Sequence, residues 1–183
     1  SLSGHCNASI ISSNGGSLSA EDIELGKPVI TNNNALLKLK RCKPVIVFVD
    51  NSHLILSESQ IIASPRSGLV SIGFSDLQID NTIFSSCTAN GIELSVDTTA
   101  TVINSQFVQN QVAGALVFST SACFRDCVFE GNNFIGCQIS GNNASPTFVN
   151  CAFLNNAVSG ATMLEFTFPT FDGCQFKQNE KFG

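Results

Sequence analysis

Five phenylalanines, Phe84, Phe107, Phe129, Phe153 and Phe176, recur at nearly constant spacing along the second half of the chain. The period, roughly 23 residues, restricts the chain more than any other feature, because a unit of this length cannot bury an apolar face alone and must stack on its neighbours. Other columns align on the phenylalanines. Asn81, Asn104, Asp126, Asn150 and Gly173 lie three positions before them, and Thr82, Ser105, Cys127, Cys151 and Cys174 two before. Ile79, Val102, Phe124, Phe148 and Phe171 lie five before. Cys87, Asn110, Asn132, Asn156 and Asn179 follow by three, and Gly91, Gly114, Gly136, Gly160 and Gly183 by seven.

The Asn/Asp/Gly column holds the residue types that adopt a left-handed backbone cheaply, so a tight turn with positive φ is expected there. The Phe column and the Cys/Ser/Thr column share one strand face. After each glycine the alternation is again strand-like, as in Gly91-Ile92-Glu93-Leu94-Ser95-Val96. Each unit therefore reads as two or three short strands with no room for a helix. Stacked units would turn every column into a ladder with rungs about 4.8 Å apart. The Phe column becomes an aromatic stack and the Asn column a side-chain ladder. The fold class is all-β: a single-stranded parallel β-helix with coils of about 22–24 residues. A leucine-rich repeat has the same period, but its fourth consensus position is Thr, Ser or Cys here, and the second half of each unit lacks helical spacing.

One earlier unit fits through Val49, Asn51, Ser52 and Leu54, with Gly68 displaced beyond its regular position. This predicts an insertion around Ser57–Ser67. Before that the pattern fades, so residues 1–44 are expected to form an N-terminal cap or irregular first coils, and residues 45–183 the regular repeats. Ending on Gly183, where another strand would start, the repeats are expected to continue in a longer protein.

Phe-x-x-Asn (Phe107/Asn110, Phe129/Asn132, Phe153/Asn156, Phe176/Asn179), followed by Gly114-Ala115-Leu116 or Gly160-Ala161-Thr162, resembles the passenger repeats of the chlamydial polymorphic outer membrane proteins. Those carry FxxN and GGA[ILV]. This chain differs in having one glycine where they have two, and in its cysteine column. The wider group is the right-handed β-helix repeat proteins with pectin-lyase-like architecture. The resemblance spans roughly residues 45–183. It implies a right-handed β-helix and an adhesive role on a cell surface.

Charge narrows the function classes. The net charge is -5, and Lys, Arg, Asp and Glu make up only 13% of the chain, which argues against a nucleic-acid binder. No window approaches the length of apolar chain that spans a membrane as a helix. The resemblance also implies what an enzyme of this architecture would use: a basic residue with Asp-bound calcium, or paired Asp, to cut acidic polysaccharides. Here His5 and His53 lie far apart in the chain, and no two carboxylates fall in matching columns of adjacent coils. No catalytic residue, metal site or cofactor is expected. The binding candidates are Lys38, Lys40, Arg41 and Lys43, a tight cluster of cations that could meet an anion or a glycan. A solvated strip that discourages edge pairing is the alternative. The eight cysteines leave two readings open: disulfides, or small buried side chains under the Phe stack. Asn7 and Asn143 begin N-x-S sequons. The expected function is a non-enzymatic extracellular or cell-surface scaffold, adhesive or structural. Its partners would be glycans, host or extracellular proteins, or neighbouring segments of the same protein. A polysaccharide-active enzyme and a filament building block are the alternatives.

Overall fold

The computed structural model describes residues 4–6 and 10–181. It is a right-handed β-solenoid of about seven turns, with no helix among the described residues. Three parallel faces run its length. Sheet 1 holds eight strands from Ile10–Ser12 to Ser159–Met163, and sheet 2 eight from Ser17–Glu21 to Thr170–Asp172. The third face, sheet 3, begins with Gly4–Cys6, Ile23–Leu25 and Lys43–Pro44 and continues as six strands from Gln60–Ile62 to Gln175–Lys177. Its ladder is interrupted at Pro44, which has no N–H to donate. The pairings are parallel, because every strand meets the equivalent strand of the next coil.

The five phenylalanines pair in register on sheet 3. Their rings stack at 5.1, 4.8, 4.7 and 4.6 Å. A second stack, Phe124, Phe148 and Phe171, rises from sheet 2 at 5.0 and 4.9 Å. The two stacks meet edge to face, Phe129 touching Phe124 at 5.7 Å and Phe148 at 6.1 Å. The repeat pattern places the second column inward, but only the fold shows that it forms a stack of its own.

The corner between sheets 2 and 3 is one left-handed residue. Asn81, Asn104, Asp126, Asn150 and Gly173 have φ between 46° and 61°, as their column predicts. The N–H of this residue still reaches the next coil, Asn104 donating to the Arg125 carbonyl at 3.0 Å. The Ser/Thr/Cys residue that follows points inward and caps the corner: Ser105 donates to the Ile103 carbonyl (2.8 Å) and accepts from the Thr82 N–H (3.2 Å). The corner after sheet 3 also uses a left-handed residue, at Ala63, Ser86, Gln109, Gly131, Asn155 and Gln178. No side-chain preference marks this second column, so the sequence conceals it. Inside this corner the asparagines form the expected ladder. Asn132 Nδ2 donates to Asn156 Oδ1 (2.9 Å) and to the Phe107 carbonyl (3.1 Å).

The expected insertion at Ser57–Ser67 does not exist. Ile61, not Leu54, occupies the Phe column: Ile61 pairs with Phe84, and Leu54 pairs with Leu77 on sheet 2. Gly68 then falls in regular position after Ile61, and Ser57–Ser67 contains the Gln60–Ile62 strand and an ordinary third corner. The irregular coils are the shorter ones before it. Leu25 pairs with Pro44, and the Gln60 N–H donates to the Cys42 carbonyl at 3.0 Å, which sets Pro44 against Ile61. Both steps along sheet 3 take fewer residues than the later coils. Only Val45 and Ile46 link Pro44 to the next sheet 1 strand, Val47–Asp50. With no room for the Asn and Gly of the later corners, the repeat signature disappears before Val49. Strands from Ile10 to Pro44 nonetheless belong to the same three faces.

The glycine column has a steric cause. A Cβ on Gly114 would sit 2.6 Å from the Gly136 carbonyl oxygen, 2.9 Å from Phe107 Cβ and 3.0 Å from Phe129 Cδ1. Gly131 is different: φ is +62° and only Gln109 Cγ comes near, at 3.7 Å. Gly114→Ala should therefore cost about 1–3 kcal/mol by overpacking, while Gly131→Asn should stay within about 1 kcal/mol of wild type. Equilibrium denaturant unfolding measures both. Phe129 packs against Phe107, Phe124, Phe148 and Phe153, so Phe129→Ala should cost about 3–5 kcal/mol in the same assay. An equal loss for Phe129→Ala and Gly131→Asn would contradict this assignment of the core.

Candidate functional site

The outer face of sheet 2 carries a shallow trough. One depression of about 340 Å³ is lined by Ser19, Glu21, Lys38, Lys40, Ile55 and Ser57. A second, of about 430 Å³, continues past Ile55 to Asp76, Gln78, Asp80, Thr101 and Ile103. Strand alternation builds it: Lys38 stands between Ser19 and Ile55, and Gln78 between Ile55 and Thr101, all one residue out of phase with the core.

The four basic candidates do not form one patch. Lys38 and Lys40 face the trough, Arg41 occupies the left-handed corner beside it, and Lys43 lies on sheet 3 opposite Glu24. Arg41 is engaged by the preceding coil. Its Nε donates to Asp22 Oδ1 at 2.6 Å and its Nη2 to Asp22 Oδ2 at 2.8 Å and Glu21 Oε1 at 2.5 Å. Lys40 Nζ lies 3.8 Å from Glu21 and 3.7 Å from Glu58. The hydrogen bond from Arg41 lowers the Asp22 pKa, and the same contact raises that of Arg41. Glu21, Asp22 and Glu58 escape a reading of the sequence because they come from neighbouring coils of unequal length. The irregular register hides the match.

His53 is exposed on sheet 2, with Nδ1 3.8 Å from Asp76 Oδ2. Thr99 donates to Asp76 Oδ1 at 3.0 Å. Asp76 is thus held between a histidine and a hydroxyl, and Asp80 lies in register with Ser57 and Ile103. No described strand pair of sheet 2 sets two carboxylates side by side on adjacent coils, and no group of three or more His, Cys, Asp or Glu converges as a metal site among the described residues.

The side chains of seven of the eight cysteines are described, and all seven are free thiols. Cys127 and Cys151 are buried in the corner column, and Cys174 is partly exposed. Hydrogen bonding to Cys151 and burial push the Cys127 thiol up. Burial likewise raises Cys42, Cys87, Cys137 and Cys174. Asn143 is exposed in a left-handed turn with φ 61°. Asn7 and Gly183 lie outside the described residues, as do the side chains of His5 and Cys6.

Since its folded-state pKa is lowered, Asp22 contributes stability that is present at neutral pH and lost as the pH falls through and below the ordinary carboxylate range. Asp22→Asn should therefore lower the Tm slightly at pH 7, and the gap to wild type should close on acidification. A thermal-unfolding series from neutral to strongly acidic pH checks this, and a gap that widens on acidification would contradict it.

A family model described as right-handed β-helix region matches residues 44–183. No curated protein matches the chain.

Proposed function

Because the chain belongs to the right-handed β-helix family, whose fold carries many functions, we propose that it is a non-enzymatic extracellular or cell-surface scaffold that adheres through the sheet 2 trough. One observation carries this reading. The trough is long, open and lined by alternating polar and aliphatic side chains, yet its carboxylates are dispersed and Asp76 is paired with other groups. Gln78, Thr101 and Lys38 offer hydrogen bonds to sugar hydroxyls, while Ile55 and Ile103 offer an apolar surface to a ring face. Hydrolysis of a glycosidic bond needs two carboxyl groups flanking it at a defined separation. The in-register rows of sheet 2 supply alternating residue types instead. Glycans are the expected ligands, with extracellular proteins and neighbouring segments of the same protein as further partners.

A polysaccharide-cleaving enzyme is the second reading, favoured by Asp76 and Asp80 facing the same depression. Retention on a panel of acidic and neutral polysaccharides, with and without calcium, distinguishes the two when new chain ends are measured together with binding. The expected result is retention without cleavage, weakened at least threefold by Lys38→Ala or Gln78→Ala. New chain ends that vanish in Asp76→Asn would replace the scaffold reading with an enzyme. No retention would leave a structural role and remove the adhesive one.

A further inference from the structure

The corner between sheets 1 and 2 is not uniform. Four residues separate Ser71 from Asp76 and Leu94 from Thr99, but three separate Val49 from His53 and Val117 from Ser121. Two consecutive internal coils thus carry one extra residue, and Phe74 and Asp97 stand at matching positions in them. The coils on either side close the same corner without it, so closure does not require it. Phe74 is 76% exposed, the highest value among the described large hydrophobic side chains. Asp97 is exposed, and no hydrogen bond or ion pair engages its carboxylate among the described residues.

This ledge is firmly held. Gly73 turns the chain with φ +64° against the Asn51 amide, whose Oδ1 accepts from the Phe74 N–H at 3.1 Å. In the next coil the Thr98 N–H donates to the Ser95 carbonyl at 3.1 Å, and the Thr98 hydroxyl lies 3.2 Å from Ser71 Oγ. Phe74 and Asp97 flank a depression of about 320 Å³ whose other walls include Thr99, Ser119 and Ser121. Thr99 donates to Asp76, and Ser121 shares one proton with Ser145, so both oxygens keep accepting capacity.

We propose that the ledge binds one neutral hexopyranose residue of a glycan. A pyranose presents a C–H-rich face within a rim of hydroxyls. Phe74 offers a ring to that face, while Asp97 and the three hydroxyls meet the rim. No Lys or Arg lines the depression, so the Asp97 charge disfavours an acidic sugar. A quaternary ammonium ion could use the ring and the carboxylate, but it would leave the hydroxyls without a partner. The site lies at the corner, on residues other than those of the sheet 2 trough, and its assignment does not rest on that face binding glycans.

The chain contains no tryptophan, so Phe74→Trp places a single indole on the ledge. Its fluorescence is titrated with the methyl glycosides of glucose, galactose and mannose, and with tetramethylammonium. At least one sugar should give a saturable shift. Adding Asp97→Gly, which suits the φ of 62° at that position, should weaken it about tenfold. Saturation-transfer NMR on the wild-type chain should detect the same sugar. That signal should vanish in Phe74→Ala and persist in Phe134→Ala, whose ring is exposed at the corner before sheet 1. Three outcomes would overturn the site: no response to any of the sugars, a response to tetramethylammonium alone, or a sugar signal that survives Phe74→Ala. The wild-type NMR measurement does not depend on the folding of a variant. Polysaccharide retention lost in Lys38→Ala bears on the trough alone.

Discussion

Every coil must hold its N–H and C=O groups within hydrogen-bonding reach of the coils above and below. Among the described residues no helix provides an alternative partner. This requirement sets the rest. A backbone held about 4.8 Å from its neighbour places equivalent side chains in contact, so a residue is selected largely by the residue one coil away. Phenylalanine suits that demand because rings slide into parallel stacks at nearly the rung spacing. Asparagine suits it because its amide can donate to the next amide and to a backbone carbonyl while accepting from a backbone N–H.

The corners show the same constraint acting on the backbone. A turn between two faces must redirect the chain without losing the bond to the next coil, and a single left-handed residue does both. That conformation costs an ordinary L-residue about 1–2 kcal/mol. Between sheets 2 and 3 the regular coils meet the cost with Asn, Asp or Gly, but Arg41 and Glu58 also adopt it. Those two side chains are engaged across coils in the ion-pair network, Arg41 with Glu21, Asp22 and Glu58. The strained corner and the salt-bridged strip thus coincide at the irregular coils. Exposed pairs of this kind contribute little each, and their larger consequence is to occupy charges that would otherwise face a ligand.

The repeat is legible because its columns carry residues with a steric or hydrogen-bonding role that few others fill. Phe129, Asn132, Asp126 and Gly136 announce a stacked ring, an amide ladder, a left-handed corner and a close backbone approach. The misplaced register at Leu54 has an equally physical origin. Leu54 and Ile61 are both buried aliphatics, Ser52 and Ser59 are both buried hydroxyls, and Asn51 and Glu58 both have positive φ. Sheets 1, 2 and 3 meet at corners of similar chemistry, so a shift from one corner to another preserves most of the pattern. Only the position of Gly68 discriminates, and an insertion that the chain does not contain can absorb it.

By itself the sequence determined that this is an all-β stack of short parallel coils, which residues fill its interior, and where its regular corners bend. Those properties repeat, and a repeated demand leaves a repeated residue. Tertiary structure alone decided which surface side chains meet. Glu21, Asp22 and Glu58 reach Lys40 and Arg41, His53 reaches Asp76, and Lys43 is separated from Lys38. These contacts depend on the exact length of each coil, and the short coils around Pro44 owe their length to how tightly the third corner closes. A surface contact between adjacent coils is local in space but a whole coil apart in the chain, so one residue of error in a corner moves it to the wrong partner.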